Sequence, residues 1–224
     1  MQRPEFRAHL GVMDSGKSLR LMQHAYEQDR IGNTTIIAKP GIDTKAGEKI
    51  TSRIGIDRPV DILFSAEDNV RERVLRHIAQ RSLTDSYRTT ATTLYVDEVQ
   101  FASVDHIYQM RELATEDRVS VEAYGLMSDF TGTLFAPISS VIANADHFDQ
   151  LHTACRGAHD HTQEVCGNSA IRNARLVDGE YVFSGETVAI DGEQNITYRS
   201  LCDFCFTAVK KAAALKSQQH SAVR

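Results

Sequence analysis

Residues 11–18 read Gly-Val-Met-Asp-Ser-Gly-Lys-Ser, the G-x-x-x-x-G-K-S spacing of a phosphate-binding loop. Gly11 and Gly16 let the backbone turn tightly enough to point N–H groups inward at an anion. Lys17 can reach β- and γ-phosphates, and the Ser18 hydroxyl is placed to ligate Mg²⁺. A second segment, Thr93–Phe101 (TLYVDEVQF), sets Asp97 and Glu98 directly after an apolar run. An acid there fits a Walker B carboxylate, which holds Mg²⁺ directly or through water. Its neighbour Glu98 can serve as a general base toward a hydroxyl. The phosphate-binding set expected from the two segments is Gly11, Met13, Ser15, Gly16, Lys17, Ser18, Asp97 and Gln100. Lys17, within that set, and Glu98, beside it, are the expected catalytic residues, and Ser18 and Asp97 the expected Mg²⁺ ligands. Each segment alone has a bland reading, a glycine-rich turn or a strand end with solvated acids. Together they favour a nucleotide site.

These residues need a scaffold that brings two distant segments to one edge. Ser18–Asp29 carries Leu19, Met22 and Tyr26 at helical spacing, so a helix N-terminus would aim its dipole at the phosphates. Strands are expected at Thr34–Ala38, Asp61–Phe64, Thr93–Val96 and Ser120–Tyr124. Helices are expected at Asn69–Arg81, where Val70, Val74, Leu75 and Ile78 share a face, and at Ser103–Ala114. Such alternation specifies an α/β fold, a P-loop NTPase-like parallel sheet with helices on both faces. Ligands bind these sheets at the carboxyl ends of the strands. Asp14, Asp129 and Asp146 stand out only by position and read as solvated acids. The tail, 209–224, reads as a frayed helix end followed by disorder.

The chain has 224 residues, of which 42% are hydrophobic, and a net charge of −5. That is enough for one sizeable domain with a small appendage, and the acidic balance argues against a protein built to grip nucleic acid. No run of apolar residues is long enough to span a membrane, and the first residues, MQRPEFRAHLGVM, lack a signal-peptide core. A cytoplasmic protein is expected. The four cysteines, Cys155, Cys166, Cys202 and Cys205, all lie in the last third. Cys202 and Cys205 form C-x-x-C, while ten residues separate Cys155 from Cys166. A Cys₄ zinc site is one reading. Disulfides lack an oxidising compartment, and a redox C-x-x-C lacks a thioredoxin-like βαβ setting. His159 and His161, inside the stretched loop, are alternative ligands or solvated loop histidines.

In order and spacing, GVMDSGKS, AKPGIDTK (38–45), TSRIG (51–55), VDEVQF (96–101), YGLMSDFTGTLF (124–135) and YRSLCDFC (198–205) resemble the cellular-type thymidine kinase family, from about Arg7 to Phe206. The resemblance implies an ATP-binding domain over 1–148 and a small zinc-bearing lasso domain over 149–208 whose loop closes on the nucleoside. It implies transfer of the γ-phosphoryl group of ATP to the 5′-hydroxyl of thymidine or deoxyuridine, with Mg²⁺, structural Zn²⁺ on the four cysteines, and Glu98 as base. Met13, Asp43, Lys45, Phe101, Leu126, Phe130, Phe135, Asn173 and Tyr198 would bind the nucleoside. By residue type alone, Leu126 and Phe135 read as core. The resemblance further implies a homotetramer, with a dimer as the alternative, feedback by thymidine triphosphate, and neither nucleic acid nor membrane as partner.

Four positions depart from the family pattern. Lys45 stands where an arginine is usual and lacks its planar fork. Asp14 replaces a common phenylalanine. An apparent eight-residue insertion separates Cys155 from Cys166. Asn173 replaces the threonine near the thymine methyl, which would relax the preference for thymidine over deoxyuridine. Two other classes share parts of the pattern. Another P-loop ATPase or small-molecule kinase would not need Tyr198 or YGLMSDF. A zinc-bearing binding module would need a basic face, and 150–206 carries Asp160, Glu164, Asp178, Glu180, Glu186, Asp191, Glu193 and Asp203 instead.

Overall fold

A computed structural model of the protein describes residues 3–41, 48–84, 91–157, 165–185 and 195–221. In chain order the elements are β1 (Phe6–Gly11), α1 (Lys17–Arg30), β2 (Thr34–Pro40), β3 (Lys49–Thr51), β4 (Asp57–Pro59), β5 (Ile62–Phe64), α2 (Val70–Thr84), β6 (Thr92–Val96), α3 (Val104–Thr115), β7 (Val119–Leu126), α4 (Ala136–Asn144) and β8 (His147–Leu151). They continue with β9 (Thr153–Ala154), β10 (Ser169–Ala170), β11 (Arg172–Val177), β12 (Glu180–Val182), β13 (Ile196–Leu201) and α5 (Asp203–Ser221). The chain divides into two compact units. One comprises Met1–Leu10, Gly16–Met127 and Phe135–Gln150, the other Gly11–Ser15, Ser128–Leu134 and Leu151–Arg224.

The first unit is built on a six-stranded sheet of order β5-β2-β6-β7-β1-β8. The β2–β5, β2–β6 and β6–β7 ladders are parallel. Successive residues Ile36 and Ile37 are both fully buried, because helices cover both faces of the sheet. Ile36 packs with Phe6, Leu10, Leu94 and Val121 beneath Val74 of α2, Met110 and Leu113 of α3 and Val141 of α4. Ile37, Tyr95 and Tyr124 meet Leu21, Met22 and Ala25 of α1. α3 starts where the sequence places it: the Ser103 hydroxyl accepts from His106 N at 3.2 Å, and His106 Nδ1 accepts from Ser103 N at 3.1 Å. That reciprocal cap satisfies two donors at the helix start.

The second unit holds the antiparallel sheet β12-β11-β13 and the β9-β10 ribbon. Val12, Ala170, Ala174, Leu201 and Phe206 are among its core residues. The sequence-based boundary at 148/149 falls inside β8, and the unit also draws in 11–15 and 128–134. Hydrogen bonds explain this. Asn173 Oδ1 accepts from Met13 N at 2.8 Å, and Asn173 Nδ2 donates to Ser128 O at 3.0 Å. The expected tail disorder is corrected: α5 continues to Ser221. Its Lys-Lys-Ala-Ala-Ala-Leu-Lys run consists of strong helix formers, Val209 packs on the second core, and Lys216 pairs with Glu180 at 2.7 Å.

Of the three acids read as solvated, Asp146 is exposed, while Asp14 and Asp129 are corrected. Asp129 is 8% exposed, and its Oδ1 accepts from Thr131 N (2.8 Å), Thr131 Oγ1 (2.7 Å) and Thr133 N (3.0 Å), which shapes the 128–134 loop. Asp146 accepts from Phe6 N at 2.9 Å and Arg111 Nη1 at 2.6 Å. Asp14 has a left-handed backbone, φ +62°, and Arg156 lies 3.6 Å from its largely buried carboxylate. Short polar side chains are favoured where the backbone needs a local acceptor or left-handed geometry. Among the described residues, no helix is long and apolar enough to cross a membrane.

Candidate functional site

At the start of α1, Gly16 is left-handed, φ +77°, a conformation glycine adopts without strain. This turn delivers Lys17 and Ser18 onto the first helical turn. Asp97 follows β6 and anchors to β2 by donating its N–H to Ala38 O at 2.9 Å. The two segments meet: Ser18 Oγ donates to Asp97 Oδ2 at 3.2 Å. Asp97 is 4% exposed, and its other oxygen, Oδ1, has no hydrogen-bond partner among the described residues. Burial, then the adjacent Glu98 charge, pushes the Asp97 carboxyl up to about 7, against the pull of Lys17 and the Ser18 hydroxyl. An orphaned buried carboxylate oxygen beside a hydroxyl is a donor set suited to a hard divalent cation such as Mg²⁺. A cation there would supply the missing partner and favour the ionised carboxylate.

Glu98 also has a left-handed backbone, φ +54° and ψ +40°. For a residue with a side chain this costs about 1–3 kcal/mol, and such strain collects at functional sites. Its carboxylate accepts from Gln100 Nε2, while Gln100 Oε1 accepts from Leu126 N at 2.9 Å. Gln100 is 3% exposed. Expected among the phosphate-binding residues, it spends both ends of its amide inside the protein, linking Glu98 to the end of β7. The same unit brings Phe101 and Phe135 together edge to face, with ring centroids 6.1 Å apart at 77°.

In the second unit Met13, Phe130, Asn173 and Tyr198 form a connected group. Besides the Asn173 bond to its N–H, Met13 offers its carbonyl to Ser200 Oγ at 2.5 Å. Asn173 is 2% exposed, and its amide is committed to main-chain partners. Arg175, two residues along β11 and on the same face, places its guanidinium 3.7 Å from the Phe130 ring centroid and donates from Nε to Tyr198 OH at 2.9 Å. Arg175 and Ser200 were missed in the sequence. The available signal was the period of two along a strand, but Arg-Asn-Ala-Arg-Leu shows no clean alternation.

The four cysteines converge, with one sulfur from each within 4.8 Å of the others and Cys166 Sγ 3.8 Å from Cys202 Sγ. Ligands about 2.3 Å from a tetrahedral zinc lie ~3.8 Å apart. Gly157 N and Cys205 N donate to Cys155 Sγ and Cys202 Sγ at 3.4 and 3.5 Å. Burial, then the other three sulfurs, pushes the Cys205 thiol well above its ordinary value, a crowding that a cation reverses. All four thiols are free of disulfides.

The sequence profile described as "Thymidine kinase" matches residues 5–206. The chain belongs to the thymidine kinase family. It is 32% identical over 200 residues to the thymidine kinase of Mannheimia succiniciproducens, covering 88% of this chain and 92% of that one. It is 33% identical over 196 residues to that of Legionella pneumophila, strain Paris, covering 87% and 85%. Among solved structures, the genome packaging NTPase B204 from Sulfolobus turreted icosahedral virus 2 matches with a TM-score of 0.41 and 14% identity, over 73% of this chain and 78% of that chain.

The chain is thus a kinase of this family, and its expected site residues fall into separate groups. Lys17, Ser18, Asp97, Glu98 and Gln100 lie in the first unit with Gly16, Phe101, Leu126 and Phe135. Gly11, Met13, Ser15, Phe130, Asn173 and Tyr198 lie in the second unit with all four cysteines. Asp43, Lys45, His159 and His161 lie outside the described residues.

Proposed function

We propose that this kinase transfers the γ-phosphoryl group of ATP to the 5′-hydroxyl of thymidine and also accepts deoxyuridine. The observation that carries the reading is Ser18 bonded to Asp97, with the strained Glu98 held beside it through Gln100. Ser18 and Asp97 would hold Mg²⁺, which offsets charge on the phosphates and orients them. Lys17 steadies the β- and γ-phosphates. Glu98 takes the proton of the 5′-hydroxyl as that oxygen bonds to the γ-phosphorus and the β–γ bridging bond breaks, leaving ADP. Family resemblance assigns the nucleoside to Met13, Asp43, Lys45, Phe101, Leu126, Phe130, Phe135, Asn173 and Tyr198. Apolar and aromatic side chains suit a flat base with a methyl group.

A single methyl in an apolar pocket is worth about 1–3 kcal/mol. The preference for thymidine over deoxyuridine is therefore set below about a hundredfold. The four converging sulfurs support structural Zn²⁺, about one per chain, and a cytoplasmic setting rests on the sequence reading. A homotetramer, or a dimer, and feedback by thymidine triphosphate rest on the resemblance. Competition kinetics with the two nucleosides at one concentration of labelled ATP test the reading. Phosphorylation of both, with thymidine ahead, is expected. Turnover of neither would remove it.

A further inference from the structure

Away from the phosphate and cysteine sites, polar residues gather on the α1 face of the sheet, at its β7-β1-β8 end. His9 on β1 is 3% exposed, His24 comes from α1, Glu122 and Tyr124 from β7, and Asp149 from the edge strand β8. Their neighbours on this face, Leu21, Met22, Ala25, Tyr95 and Tyr124, form an apolar cluster. A buried imidazole in such a setting is costly without good partners. We propose that His9, His24 and Glu122 form a binding site for a divalent transition-metal ion, separate from the cysteine centre and from the Mg²⁺ position.

Three observations carry this. First, one ligand atom from each of the three residues lies within 4.8 Å of the others. Second, each imidazole has a nitrogen facing an oxygen outside the triad. His9 Nδ1 lies 3.1 Å from Asp149 Oδ2, and His24 Nδ1 lies 2.9 Å from Tyr124 OH. Metal-binding histidines need such a partner to fix ring and tautomer. Third, a plain hydrogen-bond network leaves His9 unsettled. His9 Nε2 bonds Glu122 Oε2 at 2.5 Å, yet Nδ1 makes no aligned hydrogen bond despite its short approach to Asp149.

Two imidazoles and one carboxylate suit Zn²⁺, Co²⁺ or Ni²⁺, not the all-oxygen preference of Mg²⁺ or Ca²⁺. Ligands around one such ion lie ~3.3 Å apart. The His9–Glu122 contact therefore opens by under about 1 Å on loading, and the Glu122 side chain, 17% exposed at this edge, has room to turn. His9 stands two residues before the phosphate loop and α1 begins directly after it. A bound ion would tie β1 and α1, the elements on either side of the turn, to β7.

The test uses the full-length protein with its cysteine site filled by zinc and no nucleotide present. Co²⁺ is then titrated in. A further equivalent with visible d–d absorption, no thiolate charge-transfer band and no displacement by excess Mg²⁺ is expected. Metal at about a hundred times its Kd should raise the melting midpoint by about 5–10 °C. His24→Gln and Glu122→Gln should weaken binding more than a hundredfold, and Asp149→Asn, on the exposed edge strand, by about 10–100-fold. Metal-free melting curves show whether each variant folds. If His24→Gln fails to fold, Asp149→Asn and Glu122→Gln decide. Wild-type protein that takes up no Co²⁺ beyond the cysteine site, or variants that bind as well as wild type, would overturn the proposal. None of these readouts involves phosphoryl transfer.

Discussion

Glu98 combines a strained backbone with a carboxylate tied through Gln100 to Leu126 N. Such a fixed group can be aimed at a hydroxyl without an ordering cost at the moment of reaction. Glu98→Gln should keep ATP affinity while kcat falls by about 10²–10⁴. Equilibrium nucleotide binding and single-turnover rates check this, and near-normal turnover would remove Glu98 as base. Asn173 teaches a different lesson. Its sequence position suggested an amide facing the thymine methyl, but the structure commits that amide to Met13 N and Ser128 O. Asn173→Thr leaves at least one of these groups without its partner, a cost of about 1–3 kcal/mol. A lower melting temperature is expected, with the thymidine-to-deoxyuridine ratio of kcat/KM moving less than about tenfold. A larger change would place residue 173 against the methyl group. The meeting of Ser18 with Asp97 was legible, because phosphate chemistry calls for those types at that spacing. Gln100's link to Leu126 and Arg175's place over Phe130 were not, because each depends on a residue brought close only by folding.

At the scale of elements, α1, β2, α2, β6, α3 and β7 were all readable, with boundaries shifted by a few residues, because each carries its own periodicity or cap. The second unit was not. Its central strand β11 carries arginines and an asparagine and is buried at four successive positions without alternation, and its core is completed by 11–15 and 128–134, which no composition shift marks. The stretched cysteine pair shows how an insertion can leave four sulfurs together. β9 pairs with β10 in the register Ala154 to Ser169, Cys155 N donates to Asn168 O at 2.7 Å, and Cys166 N donates to Gly157 O at 2.8 Å. The described residues on both sides of the added stretch are thus tied together beside the cysteines. Gly157 is the tight point, since a Cβ there would lie 2.7 Å from Cys205 Sγ. Gly157→Ala should displace that sulfur and speed zinc loss to a chelator at least about tenfold. Release followed with a colorimetric zinc indicator checks this, and an unchanged rate would mean that Cys205 is not a ligand.

Across the whole first unit, one carboxylate joins positions far apart in the chain. Asp146 accepts from Phe6 N at 2.9 Å and donates its own N–H to Phe6 O at 2.7 Å, while Arg111 of α3 reaches the same carboxylate at 2.6 Å. β1, α3 and the joint between α4 and β8 are thereby held by one side chain, and Phe6 is fully buried. Nothing local in Ala-Asn-Ala-Asp-His announces this, because both partners arrive from elsewhere. The Arg111 hydrogen bond, then the Phe6 N–H, holds the Asp146 carboxyl below its ordinary value, against the opposing effect of burial. A carboxyl depressed in the folded state stabilises the fold above the unfolded pKa of about 4, and that contribution disappears as pH falls through the folded value. Asp146→Ala should cost about 1–3 kcal/mol at neutral pH, the penalty for stranding a buried donor and removing a charged acceptor. At about 2–4 °C per kcal/mol for a chain of this size, the loss is readable in the melting temperature. Thermal melts of both proteins from neutral pH down to about 3 should show the gap narrowing only below the ordinary carboxylate range. A gap that stays constant with pH would mean that Asp146 acts through packing and hydrogen-bond geometry rather than through its charge.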